Sequence, residues 1–95
     1  MVVGILKLTL YLPENHSLKG KRGVLKKIKA RVGNKFNVSI AECDAHDLWQ
    51  RAVLGISAVG TEVGHVDASL REVCTFIDSL HLAELGPQEI EFVHC

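Results

Sequence analysis

The stretch FNVSIAECDAHDLWQRAVLGISAVG, Phe36 to Gly60, decides how the fold is read. Phe36, Val38 and Ile40 alternate with Asn37, Ser39, Ala41 and Cys43, a period of two that predicts a strand over 36–44. Ala45, His46 and Asp47 form the turn. Leu48 to Gly60 is rich in valine, isoleucine, alanine and glycine without clean alternation, which predicts a strand with both faces covered. Two neighbouring strands therefore lie mid-chain.

The flanks on either side are helical. Upstream, Ser17 is placed to cap a helix running to about Asn34, with Leu18, Val24, Leu25, Ile28 and Val32 on one face. Gly20 and Gly23 weaken it, by up to ~1 kcal/mol each relative to alanine. Downstream, Thr61 opens a second helix in which Val66, Leu70, Val73, Ile77 and Leu80 recur at spacings of four, three, four and three. Beyond the helices lie two more strands. Val2 to Leu12 carries Leu6, Leu8, Leu10 and Leu12 in alternation and ends at Pro13–Glu14–Asn15. Gly86–Pro87 reads as a turn, and Gln88 to His94 as the last strand, with Ile90 and Phe92 on one face.

The order β-α-β-β-α-β predicts an α+β, ferredoxin-like fold: a four-stranded antiparallel sheet with two helices on one face. A chain of 95 residues holds one such domain, spanning 1–95. The other sheet face carries Val3, Ile5, Lys7, Thr9 and Tyr11 from the first strand, too apolar a set for a fully wet surface. A partner over that face is expected, and a homodimer or higher homo-oligomer is the simplest.

Composition excludes several classes. Hydrophobic residues make up 47% and charged residues 23%, a globular balance rather than a disordered one. No apolar run approaches the ~18 residues of a transmembrane helix, and Met1 to Leu12 lacks the basic start of a signal peptide. Three cysteines, Cys43, Cys74 and Cys95, with no C-x-x-C, argue against a disulfide scaffold or zinc ribbon and for a reducing cytoplasm. Cys43 and Cys74 are expected as small buried fillers. His16, His65, His81 and His94 fall at element ends, where surface polarity explains them.

The net charge is zero, but it is divided. Residues 1–41 hold nine Lys and Arg against Glu14 alone, and residues 42–95 hold two against ten acids, so the halves carry +8 and −8. Lys19, Arg22, Lys26 and Lys29 are spaced three, four and three, one stripe along the first helix. Such a stripe can meet successive phosphates and release counterions, the chemistry of RNA contact. It can also be a solvated face relieved by acids elsewhere. Nothing in the pattern singles out DNA.

Glu42, Asp44, His46 and Asp47 cluster before Trp49. Carboxylates with an imidazole could hold a divalent ion or supply an acid and a base. No further ligand pattern accompanies them, and aspartate favours turns because its side chain accepts backbone N–H bonds. Asp44, Asp47 and Trp49 are therefore read as structural or interface residues, with no metal, no catalytic group and no cofactor expected.

The segment Ser17–Leu18–Lys19–Gly20–Lys21–Arg22–Gly23–Val24–Leu25 resembles the SLKxKRxVL signature of the YlxP-like bacterial family, as does Phe36 to Glu42 leading through Asp44 and Asp47 to Leu48–Trp49–Gln50. One departure is Gly20, where that family often has an acidic residue that would complete a capping box with Ser17. The resemblance implies a ferredoxin-like fold, a cytoplasmic bacterial location and no established activity. It also implies gene neighbours in ribosome maturation and translation initiation.

Three functions compete at this level. A non-catalytic module on RNA or the ribosome would use the basic helix, because the sheet lacks the aromatics of an RNA-recognition motif. A self-associating domain, or a small-ligand sensor at a subunit interface, would use the open sheet face. An acylphosphatase-like hydrolase would need an arginine-bearing, glycine-rich loop where Pro13–Glu14–Asn15–His16 stands.

Overall fold

The structure is a computed structural model describing residues 1–95. Six elements follow one another: β1 (Val2–Tyr11), α1 (Leu18–Lys35), β2 (Ser39–Asp44), β3 (Arg51–Gly60), α2 (Val63–Ser79) and β4 (Glu84–His94). The sheet order is β2-β3-β1-β4 with every neighbouring pair antiparallel. This is the ferredoxin-like α+β fold that the sequence predicts. Each helix connects two parallel strands that have a third strand between them.

The core lies between the helices and one sheet face. Leu6, Leu8 and Leu10 of β1 and Leu54 and Ile56 of β3 meet Leu25, Ile28 and Val32 of α1 and Val66, Leu70, Val73 and Ile77 of α2. The strands contribute every second residue and the helices every third or fourth, as the two periods require. α2 crosses the sheet closely at Gly4, which pairs with Ala58 and Phe92. A Cβ at Gly4 would run into Val66 and come within 2.8 Å of Leu70 Cδ1. Ser17 caps α1: its Oγ accepts from the Gly20 N–H at 2.9 Å. The cap forms without an acidic side chain at 20, and a Cβ there would collide with the Asn15 side-chain oxygen.

Several sequence expectations need correction. Gly86–Pro87 is not a turn but lies inside β4. Gln88 pairs with Leu8 and Leu85 with Leu10, so Gly86 and Pro87 bulge opposite Thr9 on an edge strand, a place where proline's missing N–H is tolerated. The third strand starts at Arg51 rather than Leu48, and the second at Ser39 rather than Phe36. Cys43 is exposed, not a buried filler. It is the extra residue where the pairing steps from Glu42–Leu54 to Asp44–Val53. Cys74 is buried, and burial pushes its thiol pKa up.

At the chain ends, Met1 and Cys95 exchange backbone bonds, Cys95 N to Met1 O at 2.9 Å and the Met1 amine to Cys95 O at 3.1 Å.

Candidate functional site

Lys21 organises the loop between β2 and β3. Its side chain is 1% exposed, in the first turn of α1, on the same face as Leu25, Ile28 and Val32. Nζ donates to Ala45 O at 2.7 Å, Leu48 O at 2.8 Å and Arg51 O at 3.1 Å, with a longer contact to His46 O at 3.4 Å. Glu42 Oε2 lies 2.7 Å from the same ammonium. The three ammonium protons are matched by the Ala45, Leu48 and Arg51 carbonyls, so the Glu42 carboxylate acts chiefly through its charge. A buried ammonium is tolerable only when paired and hydrogen-bonded, and this one is both.

Residues 45–50 form the loop, and β3 begins at Arg51, whose own carbonyl also accepts from Lys21. Ala45 adopts a left-handed φ of 59°, rare for a residue with a Cβ. It is held there from both sides: Asp44 Oδ1 accepts its N–H at 2.7 Å, and Lys21 takes its carbonyl.

Neighbouring side chains fasten the loop to the β1–α1 connection. Asn15 Nδ2 donates to Trp49 O at 2.6 Å and to Ser17 O at 2.8 Å. Gln50 Nε2 donates to Pro13 O at 3.0 Å and Asn15 O at 3.2 Å, and the Leu12 N–H donates to Gln50 O at 2.8 Å. The Trp49 backbone is thus fixed, while its side chain is not covered: Trp49 is 53% exposed and Leu48 46%. An open hollow of about 760 Å³ lies beside it, lined by Tyr11, His16, Asp47 and Arg51 among others.

The other sequence-predicted residues fall in two places. Lys19, Arg22 and Lys26 are exposed on α1, with Lys29 half-buried beside them. None forms an ion pair; the three pairs in the molecule are Lys21–Glu42, His65–Glu62 and Arg71–Asp67. Asp44 caps the turn as described, whereas Asp47 makes no hydrogen bond. Glu42, Asp44, His46 and Asp47 are not gathered into a group with metal-ligand geometry. Glu42 faces the core and meets Lys21, and the others are spread along the loop.

Residues 3–90 match the family model described as "Protein of unknown function (DUF503)". The chain belongs to the DUF503 family. Over 78 residues this DUF503 chain is 44% identical to the "Uncharacterized protein YlxP" of Bacillus subtilis (strain 168), covering 82% of this chain and 85% of that one. The YlxP-like resemblance of the two sequence motifs is thereby established. Among solved structures, a candidate antibiotic biosynthesis monooxygenase from Deinococcus radiodurans overlays with a TM-score of 0.46 at 17% identity, covering 100% of this chain and 92% of that one. That likeness is too distant to carry chemistry to a DUF503 protein. No helix in this DUF503 chain is long and apolar enough to cross a membrane.

Proposed function

We propose that this protein is a non-catalytic, cytoplasmic RNA-binding module, acting on RNA of the ribosome or of translation through the exposed face of α1. The observation that carries the reading is the unpaired state of Lys19, Arg22, Lys26 and Lys29. None of the four forms an ion pair with an acid of the fold, so a polyanion is the complement that this surface would take. Phosphates spaced along a single strand or a groove edge supply such a complement, and each one neutralised releases counterions.

The test is a triple variant, Lys19→Ala, Arg22→Ala and Lys26→Ala, titrated with RNA across a salt series. Affinity falls for every sequence alike. The slope of log affinity against log salt flattens by about 0.7–0.9 for each phosphate that is no longer neutralised. The fold is retained, because none of the three side chains is buried. Equal affinity and equal slope in the triple variant would end the proposal.

A second reading, self-association, draws on the uncovered sheet face. Val3 pairs with both Val59 and Val93 in the register, and Ile5 follows Val3 on the same face. Val59 is 64% exposed, Val93 45% and Ile5 40%. The two readings are compatible, since α1 lies on the opposite face of the sheet.

A further inference from the structure

The hollow beside Trp49 has no role in phosphate binding by α1, and its construction is specific. An exposed indole is ordinarily mobile or packed away. Here the carbonyls of three consecutive residues are taken: Leu48 O by Lys21, Trp49 O by Asn15 and Gln50 O by the Leu12 N–H. The ring therefore stands on a backbone that cannot adjust, and ordering it on binding costs little beyond its own two torsions. Tyr11, at the end of β1, lines the same hollow and is 39% exposed. Arg51 and His16 also line it, and neither forms an ion pair. His16 immediately precedes the Ser17 cap of α1, so the hollow adjoins the N-terminus of the helix that carries the stripe.

We propose that this hollow is a base-stacking site for single-stranded RNA, with Trp49 as the platform, Tyr11 as the second aromatic face, and Arg51 leading the phosphate chain toward Lys19 and Arg22. The inference deepens the RNA reading and rests on it. Stacking on a rigid aromatic is tolerant of base identity, because every base has a π-face. Asp47, whose carboxylate forms no hydrogen bond or ion pair in the fold, is a charged acceptor in the hollow suited to an exocyclic amino group. A duplex cannot use such a site, since its bases are already stacked.

Trp49 is the sole tryptophan, so its fluorescence reports on the site directly. The experiment titrates the full chain with a ten-nucleotide oligoadenylate RNA and follows both tryptophan emission and the anisotropy of a labelled copy of that RNA. The expected result is saturable quenching with the same midpoint as the anisotropy curve, and no quenching by a blunt duplex of equal length. Trp49→Ala weakens binding roughly five- to hundredfold, the range for removing one stacked base, while the salt slope stays unchanged. Trp49→Phe restores part of the affinity. Circular dichroism checks that both variants are folded. If anisotropy reports binding while emission is unmoved and Trp49→Ala binds equally well, the stacking site is overturned and the α1 phosphate reading stands. If the oligonucleotide does not bind at all, both fall. If emission changes on dilution of the protein alone, Trp49 lies between two copies of the chain, and the stacking site is again overturned.

Discussion

Lys21 shows what a single residue can decide. Three backbone carbonyls within 3.1 Å, two of the loop and one of Arg51 at the start of β3, converge with the Glu42 carboxylate on one ammonium. Replacing it by methionine strands a buried carboxylate and leaves those carbonyls without their donor, at a cost of about 3–5 kcal/mol. For a chain of this size that lowers the melting temperature by roughly 12 °C or more. The double variant Lys21→Met with Glu42→Leu recovers part of the stability, because the uncompensated charge is gone while the carbonyls stay unsatisfied. A Lys21→Met protein that melts like the wild type would show that the loop is held by other means. The position of this pair was legible in the sequence, though its role was not. Lys21 is four residues before Leu25 and so on the buried stripe, and Glu42 follows Phe36, Val38 and Ile40 at the strand period. Residue type argued for solvent, since lysine and glutamate are almost never buried unless paired. The pairing joins residues 21 apart in sequence and on two different elements, which periodicity does not reveal.

At the scale of elements, the sequence located all six: alternation marked β1, β2 and β4, apolar composition marked β3, and helical spacing marked both helices. Its errors fell where one local feature overrode the period. Gly86–Pro87 carries the composition of a turn, yet an edge strand absorbs it as a bulge. Leu48 to Gln50 has the composition of a strand, yet it is a loop whose Leu48 and Trp49 carbonyls accept from the Lys21 and Asn15 side chains. Cys43 keeps strand composition but lies at the β2 bulge on the face that it shares with the exposed Ser39 and Ala41. The docking of α2 on β1 is the packing with least tolerance. Gly4→Ala places a methyl against Val66 and Leu70, and overpacking of this kind costs typically about 1–3 kcal/mol. Chemical denaturation should show this destabilisation as a lower midpoint with an unchanged slope. Val66→Ala in the same chain should return part of it by opening the space. A Gly4→Ala variant as stable as the parent would mean that α2 can retreat from the sheet at no cost.

For the whole molecule, the uncovered sheet face changes character along its length. Val3, Ile5, Val59 and Val93 make an apolar end, Lys7, Glu89 and Glu91 a charged middle, and Tyr11 and Arg51 an end that meets the Trp49 hollow. Two copies meeting at the apolar end would cover those aliphatic side chains and leave the hollow of each copy open. Sedimentation equilibrium should therefore detect a dimer as concentration rises. Val59→Asp with Val93→Asp should return it to monomer with little change in melting temperature, because both residues are exposed. A wild-type chain that stays monomeric at high concentration sinks this expectation. The bonds between Met1 and Cys95 bring the two chain ends to the opposite end of β1 from the hollow. Ten extended residues separate them, about 30 Å at the usual rise per strand residue. The molecule thus has a handle and a head. A tag, a surface tether or a fused fluorescent protein placed at either terminus leaves from the same corner, and it leaves the Trp49 end free to meet whatever it binds.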